Sequence, residues 1–390
     1  MACPKAVVPR GSQLWPAAVA ALCLVVAGCA PEPGPGAWTR LRYLPHAVDG
    51  TRDGHRRGAH RIAVNDDGSR LLCHYLRGPV RLWDVGRAET LLEIPVVRHS
   101  PHVALTGRGR LVVAAHESGE VVVYSAATGT ETQRFQAGQS GTQLLDASPI
   151  LPWIVVHDGD NVLRVWDADS GSCTHEIGRG YRPVDYASLA TDGSRLAGAT
   201  AVRVRVWDLA TGEDRAASAT AAGPALSPDG RRLLVAHTEH TDPHPSGHDL
   251  WDVERLDRAS NPAALRVAGY DRLRAPRWLA DGRIVGFGND GRAEIWQADE
   301  GLRHRKLPAR SRAKVSAVGA GDRRLLTYDD VAGVARIWDI DSGREVATIA
   351  TDWPSSLQAV AYSDDGSTIA FSSIYREVEV WRSVGAGSED

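Results

Sequence analysis

Along most of the chain, short apolar runs alternate with polar breaks rich in Asp and Gly. One run recurs eight times with an aromatic near its end, as in Val80-Arg81-Leu82-Trp83-Asp84, Val204-Arg205-Val206-Trp207-Asp208 and Ala335-Arg336-Ile337-Trp338-Asp339. The aromatic positions are Trp83, Tyr124, Trp166, Trp207, Trp251, Trp296, Trp338 and Trp381, spaced 41, 42, 41, 44, 45, 42 and 43 residues apart. A fixed period of that length marks a repeat architecture. A second column precedes the first: Asp67-Gly68, Asp192-Gly193, Asp229-Gly230, Asp281-Gly282 and Asp365-Gly366 each divide two apolar runs. Asp-Gly in that setting signals a hairpin, because Gly accepts positive φ. A third column follows the aromatic, as in Ala168-Asp169-Ser170-Gly171 and Leu209-Ala210-Thr211-Gly212. Each period therefore predicts four strands, a to d, joined by tight turns.

These motifs resemble the WD40 family of β-propellers over about residues 38–385. The resemblance implies an all-β, eight-bladed ring. The last repeat ends at Trp381 with no apolar fourth strand after it, whereas Trp38-Thr39-Arg40-Leu41-Arg42-Tyr43-Leu44 alternates large apolar with polar residues. That segment is expected to supply strand d of the last blade and close the ring, removing an edge that invites aggregation. A seven-bladed ring is the alternative and leaves one repeat unpacked. The chain departs from the family pattern in two ways. The Gly-His pair before strand a is not evident in most repeats, and the structural Asp six residues before the aromatic appears only as Asp160 and Asp290. With the family's buried hydrogen-bonding tetrad mostly missing, the blades must rely on apolar packing.

The first residues read as an address. Lys5 and Arg10 precede an uncharged stretch whose apolar core runs from Leu14 to Val26 and ends in Val26-Ala27-Gly28-Cys29. A basic start, an apolar stretch and a small-residue cleavage site make a secretory signal, and its ending resembles the lipobox of bacterial lipoproteins. By that resemblance residues 1–28 are removed and Cys29 is lipidated. Residues 29–37, rich in Pro and Gly, form a tether, 38–385 the propeller and 386–390 a tail. A plain signal peptide and a retained membrane anchor are the alternatives, the latter weakened because Gly11, Ser12, Gln13 and Pro16 dilute a run that needs about 20 strongly apolar residues. Ala30 after the Cys resembles the pattern sent to the periplasmic face of the outer membrane in two-membraned bacteria. The expected location is the cell envelope.

At 390 residues, 43% hydrophobic and 24% charged, the chain is neither a membrane bundle nor wholly disordered. Losing Lys5 and Arg10 takes the net charge from −3 to −5, too mild to imply nucleic-acid affinity. After export and lipidation only Cys73 and Cys173 remain, in repeats two apart. They are expected to be buried, unbridged thiols.

Catalytic signatures are missing: there is no Gly-x-Ser-x-Gly elbow, His-Glu-x-x-His, phosphate loop or Cys-x-x-Cys. No enzymatic activity is expected. An enzyme would need acid, base or metal groups converging on the central channel, and the strand a stretches expected to line it, such as Ile62-Ala63-Val64 and Val103-Ala104-Leu105, are bland. Asp167-Ala168-Asp169 and Asp339-Ile340-Asp341 look faintly like calcium ligands but sit where Asp caps a hairpin. His74, His116, His157 and His237 end strand b of their repeats, a column that reads as packing or turn bonding.

Two features suggest binding. The insertion from His237 to His248 holds His237, His240, His244 and His248, whose spacing suits zinc, copper or nickel. No other cofactor is expected, and a solvated polar loop is the competing reading. The connections from strand d to strand a hold Arg56, Arg57, Arg98, Arg179, Tyr181, Arg182, Tyr270, Arg272, Arg274, Arg310, Arg312 and Trp353. Arg with Tyr and Trp is the composition of interface hot spots, and a basic rim steers anionic partners. The opposite face collects Asp67, Asp169, Asp192, Asp208, Asp229, Asp281, Asp299, Glu300, Asp322 and Asp365. The expected molecule is basic above and acidic below, and is a membrane-tethered protein-interaction scaffold with an acidic protein partner. The alternatives are a periplasmic metal or small-ligand sensor using the His-rich loop and an envelope-assembly factor.

Overall fold

The computed structural model describes residues 37–44, 58–75, 78–95, 102–158, 162–177, 184–200, 203–218, 221–237, 248–256, 263–265, 274–287, 292–297, 303–308, 313–329, 331–351, 357–373 and 377–384. They form eight four-stranded antiparallel sheets arranged as the blades of a β-propeller.

The chain enters with β1 (Trp38–Leu44). Blade 1 is β2 (Ala59–Val64), β3 (Arg70–Tyr75), β4 (Val80–Asp84) and β5 (Glu89–Ile94). Blade 2 is β6 (His102–Thr106), β7 (Leu111–Ala115), β8 (Glu120–Ser125) and β9 (Glu131–Gln136). Blade 3 is β10 (Gln143–Ala147), β11 (Trp153–His157), β12 (Leu163–Asp167) and β13 (Ser172–Ile177). Blade 4 is β14 (Tyr186–Leu189), β15 (Arg195–Thr200), β16 (Arg203–Asp208) and β17 (Asp214–Ser218). Blade 5 is β18 (Ala221–Leu226), β19 (Arg232–His237), β20 (His248–Asp252) and β21 (Ala263–Leu265). Blade 6 is β22 (Arg274–Trp278), β23 (Arg283–Phe287), β24 (Ala293–Gln297) and β25 (Arg303–Lys306). Blade 7 is β26 (Ala313–Gly319), β27 (Arg324–Asp329), β28 (Val334–Asp339) and β29 (Glu345–Ala350). Blade 8 is β30 (Leu357–Tyr362), β31 (Thr368–Ser373) and β32 (Val378–Ser383), completed by β1.

Closure runs as the sequence predicts, and the seven-bladed alternative is excluded. β1 pairs antiparallel with β32, from Trp38 opposite Ser383 to Leu44 opposite Val378. The Val384 N–H donates to the Ala37 carbonyl at 2.8 Å. Arg40 in β1 lies 3.3 Å from the fully buried Glu379 of β32, and Arg42 donates to the Gly86 carbonyl of blade 1 at 2.6 Å. The closing strand therefore binds both the blade it completes and the next one. Gly68, in the β2–β3 turn, has φ +70°, and a Cβ there would fall against Thr368 of blade 8. Gly68 is thus needed for close approach between blades as well as for turn geometry.

The inner strands read as continuous apolar runs because each blade is covered on both faces by its neighbours. Strand β7, Leu111–Ala115, is buried at every position, whereas the outer β9, Glu131–Gln136, is mostly exposed. The core divides into eight clusters, one per blade interface. Each holds the strand c aromatic of the following blade. Tyr124 packs between blades 1 and 2, Trp166 between 2 and 3, Trp207 between 3 and 4 and Trp251 between 4 and 5. Trp296 follows between 5 and 6, Trp338 between 6 and 7, Trp381 between 7 and 8 and Trp83 between 8 and 1. The expected reliance on apolar packing is therefore met at every joint. Blade 7 adds a polar anchor: Trp338 Nε1 donates to Thr327 Oγ1 at 2.9 Å. Asp160 and Asp290 lie outside the described residues.

One cysteine departs from expectation. Cys73 is buried between blades 8 and 1, and burial pushes its thiol up to about 12. Cys173 is exposed, because β13 is an outermost strand whose Ser172, Cys173 and Thr174 face solvent. Both thiols are free.

Two outcomes follow from the joints and the closure. Trp338→Ala should lower unfolding free energy by about 3–5 kcal/mol, the usual cost of emptying a buried aromatic site, read from the midpoint of denaturant unfolding. Removing residues 38–44 should leave the β32 edge open and give concentration-dependent oligomers by size-exclusion chromatography. A stable monomer would contradict the closure role.

Candidate functional site

Antiparallel order places two kinds of connection on each end of the ring. The a–b and c–d turns share the lower face. The b–c and d–a connections share the upper face. Strands a contact one another around the axis, β2 with β6, β6 with β10, β10 with β14, β14 with β18, β18 with β22, β26 with β30 and β30 with β2. They line the central channel.

The upper channel contains a recess of about 520 Å³. Its apolar walls include Ile62, Leu72, Val103, Leu105 and Leu144, and its polar groups are His60, Arg61, His74, His102 and Asp146. The His60 and His74 rings lie 4.4 Å apart at a tilt of 56°. Burial holds the His60, His74 and His102 imidazoles below the ordinary range, His74 at about 4, with the Arg61 charge acting in the same direction on all three. Asp146 is held above the usual carboxylate range by burial. It accepts the N–H of Ala147 at 2.9 Å and of Leu189 in blade 4 at 2.7 Å. The channel is therefore not bland, contrary to expectation. Three of its polar residues, His60, Arg61 and His102, sit immediately before the two apolar stretches that suggested blandness. His74, expected only to pack or bond a turn, belongs to the same cluster.

The lower mouth is drawn together by all eight blades and encloses about 530 Å³. Its turns are hydrogen-bonded from blade to blade: Arg108 N to the Pro149 carbonyl at 2.7 Å, Asp192 N to the Pro228 carbonyl at 3.1 Å, and Asp365 N to the Asp66 carbonyl at 2.8 Å. Asp322 accepts the Ala280 N–H at 2.5 Å. Asp66 is raised above the usual carboxylate range by burial and by its neighbour Asp364, while Arg108 opposes both.

The acidic lower face needs correction as well. A column of Arg at or just before strand b counters its carboxylates. Arg70 pairs with Asp84 at 3.0 Å and donates to the Ala126 carbonyl of blade 2 at 3.0 Å. Arg110 reaches Asp169 of blade 3 at 3.0 Å, and Arg283 reaches Asp281 at 2.6 Å and Asp341 of blade 7 at 2.9 Å. Arg195 donates to the Gly230 carbonyl of blade 5 at 3.2 Å and pairs with Glu254. Arg324 pairs with Asp339. The signal was present as Arg-Leu or Arg-Ile after the hairpin turn in six of the eight repeats, for example Arg70-Leu71 and Arg283-Ile284. The Asp caps behave as expected. Asp167 Oδ1 accepts the N–H of Asp169 at 2.9 Å and of Ser170 at 3.0 Å, and Asp339 Oδ1 accepts the Ser342 N–H at 2.7 Å.

Of the basic upper connections, Arg56, Arg57, Arg98, Arg179, Tyr181, Arg182, Tyr270, Arg272, Arg310, Arg312 and Trp353 lie outside the described residues, and Arg274 opens β22. Cys29, His240 and His244 lie outside them too, while His237 ends β19 and His248 opens β20 at the two ends of the insertion. Among the described residues no group of His, Cys, Asp and Glu is arranged to hold a metal ion, and no helix is long and apolar enough to cross a membrane.

Fold and joints together define an eight-bladed β-propeller. No protein-family model matches the chain. Autophagy-related protein 16 of Arabidopsis thaliana is 22% identical over 235 residues, covering 57% of this chain and 44% of that protein. The chain thus spans less than half the length of that curated relative. Among solved structures, the crystal structure of the computationally designed Ika8 protein matches with a TM-score of 0.60 at 17% identity, over 87% of this chain and 99% of that one. The second likeness speaks for the fold alone.

The capped Asp residues set an acid limit on the ring. Asp339 is held below the usual carboxylate range by the hydroxyl and N–H of Ser342, with Arg324 adding to them. Asp208 is held low by the Thr211 N–H. A carboxyl depressed in the folded state stabilises fully above its unfolded value and loses that contribution as pH falls through the folded value. The part of the melting temperature owed to these carboxylates should therefore hold from neutrality to about pH 5 and be lost below about pH 4, on top of a shallower decline that starts below about pH 6.5 as the depressed imidazoles come under protonation pressure. Asp339→Asn should lessen the carboxylate loss, and an unchanged acid slope would remove Asp339 from the account.

Proposed function

We propose that the chain is a membrane-tethered, non-catalytic interaction scaffold of a bacterial cell envelope. The observation that carries the reading is the closed ring with its lower-face charges engaged across the blade joints. Arg70, Arg110, Arg195 and Arg283 each reach the following blade. Charges used in this way hold the platform rigid, and specificity is left to the connections it displays. The upper d–a connections carry Arg57, Tyr181, Arg272 and Trp353 among their residues, a composition suited to an acidic protein surface.

The tether reading rests on the basic start, apolar stretch and small-residue ending at Cys29. Two or three acyl chains would hold the protein persistently at a membrane, at about 0.8 kcal/mol per buried methylene. The WD40-like repeat reading rests on the eight aromatic positions in register.

In-cell crosslinking followed by affinity purification and mass spectrometry tests the proposal. A partner recovered in stoichiometric amount, and lost when Arg56, Arg57, Arg272 and Arg274 are changed to Glu, is the expected result. A partner retained in that variant would discard the basic face, and the absence of any partner would overturn the scaffold. Cys29→Ala should move the protein from the membrane fraction to the soluble fraction, and an unmoved variant would refute lipid anchoring at this residue.

A further inference from the structure

The upper channel recess has a chemical composition that ring assembly leaves unexplained. Arg61 projects from β2 beside His60, is exposed, and has no carboxylate partner among the described residues. His74 from β3 and His102 from β6 share the recess with it. His60 Nδ1 is buried with no hydrogen-bond partner. That nitrogen is closed off from the recess, whereas the Arg61 guanidinium faces it beside three imidazoles, and a cation left without a carboxylate among the described residues points to an anionic group supplied from outside. Among the described residues Asp146, on β10, is the one carboxylate lining the recess, and two main-chain N–H groups occupy it. It does not neutralise Arg61.

Size and lining narrow the chemistry. A recess of about 520 Å³ falls within the range of small-molecule sites, which are mostly apolar with a few converging polar groups. One permanent cation among imidazoles that are neutral at pH 7 suits a singly charged anion better than a doubly charged one. We infer that the upper channel recess binds a small organic carboxylate, with Arg61 taking the carboxylate, the imidazole cluster supplying N–H donors, and the apolar body lying against Ile62, Leu72, Val103 and Leu105. Guanidinium groups match carboxylates through two parallel N–H donors. The site is independent of the scaffold reading, since it uses strands lining the channel and none of the upper connections.

Binding should depend on pH. The groups facing the bound carboxylate are His60 and Arg61 from β2, His74 from β3, His102 from β6 and Asp146 from β10, while β30 contributes only Ala359. An anion favours protonated imidazole, and protonating Asp146 removes the one opposing charge. Affinity should therefore rise as pH falls.

Calorimetric titration of the purified full chain with hexanoate, its neutral isostere hexanamide, and inorganic phosphate tests this. Hexanoate should bind, with hexanamide weaker by about tenfold or more, and Arg61→Gln should weaken hexanoate by about tenfold. Affinity for hexanoate should increase as pH falls below about 6.5, the ordinary histidine value, and His102→Gln should flatten that increase. Thermal unfolding of both variants checks that the ring is intact. Equal binding of hexanamide would overturn the carboxylate assignment, as would hexanoate binding indifferent to Arg61→Gln. Phosphate binding without hexanoate binding would replace it with an inorganic anion, and no binding by any probe would overturn the site. None of these outcomes bears on the crosslinking result, so the two readings fail separately.

Discussion

Every blade buries its strand c aromatic against the blade before it, and the rest of the structure depends on that displacement. Trp83 completes the joint between blades 8 and 1 and Trp381 the joint between 7 and 8. No sheet therefore satisfies its own hydrophobic surface, and the chain has to go round until the last joint meets the first. This explains why strand b reads as a nearly continuous apolar run in blades such as 2 and 3, and why the ring is closed by the first strand of the fold. A large buried aromatic contributes roughly 150–250 Å² of buried surface, so eight such joints supply much of the cohesion.

Electrostatics follows the same geometry. Turn aspartates cap their own hairpins, and the Arg before strand b then bridges to the next blade. These pairs are partly exposed, so each one contributes modestly. Their recurrence makes them a second, polar set of joints at the lower rim, outside the apolar set. The outer strands show a related arrangement between c and d: Arg81 with Glu93 at 2.8 Å, Arg164 with Glu176 at 3.2 Å, and the reversed pair Lys306 with Glu294 at 2.9 Å. Arg40 with Glu379 is the version of this pair that secures closure.

The channel is a by-product of the ring that acquires chemistry from a few positions. Strand a of each blade presents mostly small or aliphatic side chains to the axis, which keeps the channel open. His60 and Arg61 of β2 come to the wall next to His102 of the neighbouring blade. The fold alone does not specify a ligand. The chemistry comes from which side chains stand there, a guanidinium and three imidazoles on an apolar lining.

Much of this architecture was legible in the chain. The aromatic period, the Asp-Gly column and the alternation in Trp38–Leu44 determined four strands per blade, eight blades and the closing strand, because each depends on local periodicity and turn chemistry. The Asp caps were legible for the same reason. Three features were decided only by tertiary structure. Cys173 is exposed because its strand is outermost, a place that a short mixed run does not reveal. The lower face is not simply acidic, because the Arg residues that counter its Asp residues come from strand b and reach across to another blade. The channel carries imidazoles and a guanidinium because residues 60, 61, 74 and 102 converge from three strands of two blades. Periodicity along a chain determines which strands form. Which side chains meet across blades depends on register and on the ring, and these exist only once the chain has closed.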